Sequence, residues 1–212
     1  MSPDRPGGSG VSDVPGGTGV PTGAGASGAP GGPGAETVDP AALAVLIRKR
    51  IRDVRDYPQP GISFKDITPM LADGPLFVAV VEELATGQGP VDKVAGIEAR
   101  GFILAAPVAT RLGAGFVPVR KAGKLPAATY TQDYQLEYAT ATIEVHTDAF
   151  EPGDRVLIVD DVLATGGTAL ATAELVRRAG AEVTGVAVLL ELAFLEGRPK
   201  LGDITFRALL TV

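Results

Sequence analysis

Apolar positions along this chain follow two alternating rhythms, one of helices and one of short buried strands. Leu43, Leu46, Ile47 and Ile51 recur at helical spacing behind Asp39 as N-cap and Pro40 at the first helical position. The pattern predicts a helix that stops before Tyr57 and Pro58. Arg48, Lys49, Arg50 and Arg52 surround the apolar stripe and read as a solvated face. The next stretch, DYPQPGISFKDITPML, is rich in turn formers and unlike a core element. A second helix is expected over residues 75–85, with Leu76, Val80 and Leu84 on one side.

Beyond that point strand, loop and helix repeat. KVAGI is a short apolar run, EARG a polar turn, and FILAAPVATRL a helical stretch ending at Gly113, with Pro107 an irregularity inside it. GAGFVPVRK predicts another strand, residues 156–159 a third and residues 183–190 a fourth, with a helix over residues 167–179 between the last two. Short apolar strands alternating with helices predict an α/β fold, a mainly parallel sheet flanked by helices. Residues 121–151 break the rhythm. Their segment LPAATYTQDYQLEYATATIEV alternates apolar with polar toward its end, as an antiparallel ribbon does. An excursion of this kind between parallel strands often becomes a loop or lid over a site.

Composition narrows the picture. A chain of 212 residues suits one such domain with an appendage. Glycine and proline dominate residues 1–36, with no apolar period to offset the entropy of ordering, so we expect a disordered tail there and one domain over residues 37–212. That tail lacks the basic and apolar regions of a secretory signal. No apolar run approaches the roughly 20 residues that cross a bilayer, so no membrane role is expected. The net charge of −6 carries no electrostatic footprint for nucleic acid. Cysteine is absent, which excludes disulfides, thiolate nucleophiles and cysteine zinc sites, and fits a cytoplasmic protein. His146 is the only histidine, so a metal site of several histidines is excluded; its strand-like position suggests a structural role.

The stretch that carries chemistry is VLIVDDVLATGGTAL, residues 156–170. Ligands of open α/β sheets bind beyond the carboxyl ends of strands, where loops lead into helices. Ala164, Thr165, Gly166, Gly167 and Thr168 are small, so their amides can approach an anion at the positive end of the following helix. The stretch has neither the GxxxxGK[ST] of a P-loop nor the GxGxxG of a dinucleotide fold. Asp160 and Asp161 would repel a bare phosphate, but carboxylates accept from sugar hydroxyls and bind divalent cations. A sugar phosphate satisfies both halves.

VLIV, two acids and ATGGT resemble the phosphoribosyl diphosphate (PRPP) signature of the type I phosphoribosyltransferase family. PGISFKDITPML, AGIEARGFILAAPVA, VRKAGKLP and LEYATATIEV resemble, in order and spacing, segments of its adenine phosphoribosyltransferase branch. The resemblance covers residues 39–212. It implies a type I phosphoribosyltransferase-like sheet with a small hood and a flexible lid loop, working in purine salvage: adenine and PRPP become AMP and diphosphate, with Mg²⁺ as cofactor. It implies catalytic roles for Glu137 and Arg100, and a ribose and phosphate site of Asp160, Asp161 and residues 164–168. It further implies diphosphate contacts at Glu98, Ala99, Arg120, Lys121 and Lys124, with a cis peptide joining Glu98 to Ala99. Phe64 and Leu192 would flank the base, Ser63 and Lys65 would read its edge through their backbones, and Tyr138 would close the lid. Ala139 stands where some members carry glycine. Mg²⁺ would be held mainly through PRPP, with Asp160 and Asp161 as its candidate protein ligands. A homodimer is expected. Two other readings stay open from sequence: a phosphoribosyltransferase for hypoxanthine, guanine or xanthine, and a PRPP-binding regulator without catalysis. The second lacks any helix-turn-helix pattern ahead of Asp39.

Overall fold

The computed structural model describes residues 39–135 and 140–212, Gln135 by its backbone alone. The expected tail over residues 1–36, and the candidates Glu137 and Tyr138, lie outside the described residues. Asp39 caps the first helix, α1 (Pro40–Arg50), its carboxylate accepting the Ala42 amide. β1 (Arg52–Arg55) and β2 (Ser63–Asp66) then pair antiparallel as a small two-stranded unit, followed by α2 (Thr68–Leu71) and α3 (Gly74–Ala85). The main alternation is β3 (Lys93–Ile97), α4 (Gly101–Leu112), β4 (Gly115–Lys121), β5 (Thr129–Gln135), β6 (Thr140–His146), β7 (Arg155–Leu163), α5 (Gly167–Arg178) and β8 (Glu182–Glu191). Two 3-10 turns, Ala193–Leu195 and Arg198–Leu201, lead into β9 (Phe206–Thr211).

These strands make a seven-stranded sheet in the order β5-β6-β4-β3-β7-β8-β9. β4, β3, β7, β8 and β9 run parallel, while β6 and β5 form an antiparallel ribbon beside β4. Successive side chains of a strand point to opposite faces, and here both faces are covered. Leu157 and Val159 of β7 join Val94, Ala187 and Leu189 in one core, closed by Leu43 and Ile47 of α1, Leu76, Val80 and Leu84 of α3, and Leu104 and Val108 of α4. Val156 and Ile158 face the other way, with Ala95, Ile97, Val186 and Val188, under Ala169, Ala173, Leu175 and Val176 of α5. Continuous apolar runs in sequence are therefore strands buried on both sides. Among the described residues no helix is long and apolar enough to cross a membrane.

Several elements differ from the sequence expectation. The first helix ends at Arg50, with Ile51 extended at φ −81° and ψ 135°, because the next four residues pair with β2 in the register Arg52↔Asp66 to Arg55↔Ser63. Leu46 is 47% exposed, so the buried stripe of α1 is narrower than its spacing suggested. The turn-rich stretch expected to lie outside the core supplies β2 and α2, and it buries Ile67 and Met70 almost completely. The third predicted strand continues past Val159 to Leu163, because β8 pairs with it as far as Leu163↔Glu191. β9 was not anticipated; it gains its place by parallel pairing with β8 from Val186↔Phe206 to Glu191↔Thr211. Pro107 sits inside α4, which runs unbroken to the left-handed Gly113.

Candidate active site

At the carboxyl ends of β3 and β7 lies a cavity of about 290 Å³, lined by Glu98, Ala99, Arg100, Tyr134, Asp160, Asp161 and residues 162–169 among others. A larger groove of about 430 Å³ between α1 and α3, lined by Leu46, Arg50, Asp73 and Pro75, contains none of the candidate residues. The sheet register explains the first grouping. β3 neighbours both β7 and β4, with Gly96↔Val159 on one side and Ile97↔Val119 on the other. The turn after β3 is thereby set between the acids that end β7 and the basic residues that end β4.

Residues 164–168 turn from β7 into α5. Gly166 adopts φ 80°, a left-handed conformation that side chains rarely accept, and among the described residues no side chain caps the N-terminus of α5. The first amides of a helix have no partner within it, so this end presents donors and the positive end of the dipole to the cavity. The loop is pressed from behind by Gly197. A methyl group added there would come within 2.2 Å of the Ala164 carbonyl oxygen and 2.9 Å of the Gly166 nitrogen. Only a residue without a side chain fits between the turns.

Asp160 and Asp161 belong to the end of β7. The Asp161 amide donates to Asp160 Oδ1 at 2.8 Å, and the Asp161 side chain is almost fully buried. Burial, then the neighbouring Asp161 charge, pushes the Asp160 carboxyl well above the usual carboxylate range. Asp161 is raised too: burial outweighs the pull of the Arg100 guanidinium, whose Nη2 lies 2.8 Å from Asp161 Oδ2. Arg100 also stacks over the Phe64 ring at 4.7 Å and points Nη1 at the Lys65 carbonyl oxygen, 3.4 Å away. One guanidinium therefore ties β2 to the acid pair. The helix behind it approaches closely because residue 101 is glycine; a methyl there would meet Asp160 Oδ1 at 2.7 Å.

The basic turn after β4 is held by carboxylates. Glu98 Oε2 accepts the Lys121 amide at 3.0 Å and Arg120 Nε at 3.3 Å, and Oε1 accepts Lys124 Nζ at 2.8 Å. The Lys124 hydrogen bond leads the contributions that hold the Glu98 carboxyl down at about 2, against the opposing effect of burial. Arg120 Nη1 donates to the Lys124 carbonyl at 3.1 Å. The peptide bond between Glu98 and Ala99 is cis.

With this geometry in view, likeness to known proteins becomes informative. Residues 70–202 match the model of the phosphoribosyl transferase domain. The adenine phosphoribosyltransferase of Thermobifida fusca is 60% identical over 172 residues, covering 80% of this chain and 98% of its own. That of a Nocardioides species is 64% identical over 168 residues, covering 76% and 91%. The chain belongs to the adenine phosphoribosyltransferase family. Crystal structures of adenine phosphoribosyltransferases show the same fold: that from Rhodothermus marinus superposes with a TM-score of 0.78 at 52% identity, covering 81% of this chain and 99% of that one. The enzyme from Saccharomyces cerevisiae, solved with an imino-altritol bisphosphate and adenine, superposes at 0.75 with 36% identity, covering 80% and 99%. The predominantly parallel, helix-flanked sheet is thus the type I phosphoribosyltransferase fold.

In this member of the adenine phosphoribosyltransferase family, Glu98, Ala99, Arg100, Asp160, Asp161 and residues 164–168 share one cavity. Arg120, Lys121 and Lys124 do not line it but join it through Glu98. Ser63, Phe64 and Lys65 lie on β2, with Lys65 Nζ 2.5 Å from Asp53 Oδ1, and Phe64 reaches the cavity only through Arg100. Leu192 is half-buried just after β8, where its amide donates to the Leu163 carbonyl at 2.9 Å. His146 ends β6 away from the cavity. Four residues escaped the sequence reading: Tyr134, Gly101, Gly197 and Glu144. Gly101 follows EAR directly, so a small residue at a helix start was visible there. The other three carry no local signal, since each meets the site across distant elements.

Proposed function

We propose that this chain transfers the 5-phosphoribosyl group of PRPP to N9 of adenine, forming AMP and releasing diphosphate. The observation that carries the reading is the joining, in one cavity, of a helix N-terminus uncapped among the described residues with an acid pair, Asp161 buried and Asp160 partly exposed. In this reading the amides of residues 164–168, with the Thr165 and Thr168 hydroxyls, bind the 5-phosphate, and Asp160 and Asp161 accept the ribose hydroxyls. As the bond from C1′ to the diphosphate oxygen breaks, charge grows on the leaving group. Arg100, Arg120, Lys121, Lys124 and the Glu98–Ala99 turn receive it. The Arg100 guanidinium exchanges Asp161 for substrate oxygens as PRPP enters. Phe64 and Leu192 flank adenine, the backbones of Ser63 and Lys65 read its edge, Glu137 takes up the proton near N7, and Tyr138 closes the lid against water.

Mg²⁺ belongs to the same proposal. Two adjacent carboxylates, both raised by burial and Asp160 further by the Asp161 charge, form a donor pair that a divalent cation would relieve, although no cluster of three or more metal-binding side chains exists among the described residues. Asp160 and Asp161 would hold the ion together with PRPP oxygens, and it would supply positive charge to the departing diphosphate. A cytoplasmic homodimer is part of the reading; light scattering tests the dimer.

The deciding experiment incubates the protein with PRPP, Mg²⁺ and, separately, adenine, hypoxanthine, guanine and xanthine. AMP from adenine alone is the expected result. A nucleotide from another base reassigns the substrate, and PRPP binding without any product leaves the regulator reading in its place. Glu137→Gln should lower turnover by roughly 100-fold or more with PRPP affinity kept, the range of a lost acid–base group. Near wild-type turnover removes Glu137 from its role.

A further inference from the structure

Glu144 stands on β6 between Ile143 and Val145 and is only 4% exposed, yet among the described residues no cation pairs with it. A buried carboxylate without a counter-charge is costly unless hydrogen bonds satisfy it. Glu144 Oε1 accepts two successive amides, Lys124 N at 2.8 Å and Leu125 N at 2.9 Å, while Oε2 lies 3.4 Å from the Thr129 hydroxyl. Burial alone would raise this carboxyl; the amides of Leu125, Lys124 and Gly123 together hold it below its ordinary value. The strand register puts Glu144 directly opposite Arg120, but its side chain reaches past that residue to the turn. Two carboxylates therefore divide the basic turn between them. Glu98 holds the Arg120 and Lys124 side chains together with the Lys121 amide, and Glu144 holds the successive amides of Lys124 and Leu125.

We propose that Glu144 is a positioning residue for the diphosphate end of the substrate: it sets the backbone of residues 123–125 so that Lys124 and Arg120 are presented to PRPP together. Arg120 Nη1 bonds the Lys124 carbonyl, whose peptide unit gives its Leu125 amide to Glu144, and Glu144 also accepts the Lys124 amide, so displacing this backbone displaces both cations. The inference rests on the proposed diphosphate role of these cations. A group that merely held the ribbon together would affect every ligand alike, whereas a positioning group affects only ligands that carry a diphosphate.

The test compares calorimetric affinities for PRPP with Mg²⁺ and for AMP, which has no diphosphate, in wild type, Glu144→Gln, Glu144→Asp and Lys124→Ala. Asp keeps the charge but withdraws it by one methylene, so PRPP should weaken roughly tenfold with AMP within about twofold, in the manner of a small misplacement at a reacting group. Gln keeps the reach but makes neutral bonds, about half as strong as charge-assisted ones, so a PRPP loss of about threefold is expected at unchanged AMP affinity. Equal losses for PRPP and AMP, or a wild-type PRPP-to-AMP ratio, would overturn the proposal; if Glu144→Asp does not fold, the ratio in Glu144→Gln decides alone. Unchanged PRPP affinity in Lys124→Ala removes the cation reading itself, while a loss there with none in the Glu144 variants removes only the role of Glu144.

Discussion

Residues 164–168 and residues 120–125, the two anion-binding segments of the proposed reading, keep their shapes by different means. The first loop is set by backbone packing, with Gly197 pressed against Ala164 and Gly166 in a left-handed turn. The second is set by carboxylates reached from neighbouring strands, Glu98 through the Arg120 and Lys124 cations and the Lys121 amide, Glu144 through the amides of Lys124 and Leu125. Packed backbone is steric and insensitive to salt or pH. Ion-paired side chains near the surface are screened and can exchange partners. A group that stays on the product throughout suits the first construction, and a group that must leave suits the second.

Gly197→Val should break the comparison most severely. Branched carbons cannot enter a space where a methyl already meets the Ala164 carbonyl, and overpacking of this kind costs about 1–3 kcal/mol. We expect kcat/KM to fall by roughly 100-fold, since small displacements at the reacting groups have that effect. Near wild-type kinetics would show that backbone packing does not set the loop. Next in size, Asp160→Asn with Asp161→Asn should weaken PRPP by roughly 10- to 100-fold, the scale of lost hydrogen bonds to charged groups. Unchanged affinity by calorimetry would remove the pair from the ribose site.

The single variant Asp160→Asn sharpens the point, because function and stability should move in opposite directions. The folded carboxyl is raised by burial and by Asp161, so its ionised form penalises folding at any pH above the unfolded value of about 3.9. A neutral amide escapes that penalty, and thermal unfolding at neutral pH should shift upward. A downward shift would contradict the burial argument. Smaller still, Lys124→Ala should lower PRPP affinity several-fold and flatten its dependence on salt, as expected for an exposed cation; an unchanged salt slope would place Lys124 outside the electrostatic part of the site.

The smallest effect concerns acid stability. Glu98 sits at about 2 in the folded protein, below its unfolded value of about 4.3, so it stabilises the fold above that unfolded value. The contribution fades as pH falls through about 2. The stability difference between wild type and Glu98→Gln should therefore narrow across this window in acid unfolding curves. A difference independent of pH would mean that the Lys124 and Arg120 contacts do not depend on the charge of Glu98.

Much of the fold was legible because its signals are local. The apolar runs of β3, β7 and β8 and the helical spacing of α3 needed no partner to be recognised. β9 and the β1–β2 pair were missed because FRALLT and RDVR carry weak patterns of their own, and pairing with β8 and with SFKD decides their state. The candidate site divides in the same way. ATGGT and the acid pair are contiguous, so sequence alone singled them out together; the contact of Arg100 with Phe64 and Asp161 joins residues 35 or more positions apart.

By itself, then, the amino-acid order determined the α/β alternation, the small-residue turn before α5 and the family resemblance, because each is written in short contiguous stretches of chain. Tertiary structure alone decided that Gly197 buttresses the loop before α5, that Arg100 links β2 to Asp161, and that Glu98 and Glu144 share the basic turn. Those contacts arise where the register of parallel strands brings distant loops to the same end of the sheet, and register is a property of the assembled sheet and not of any single strand.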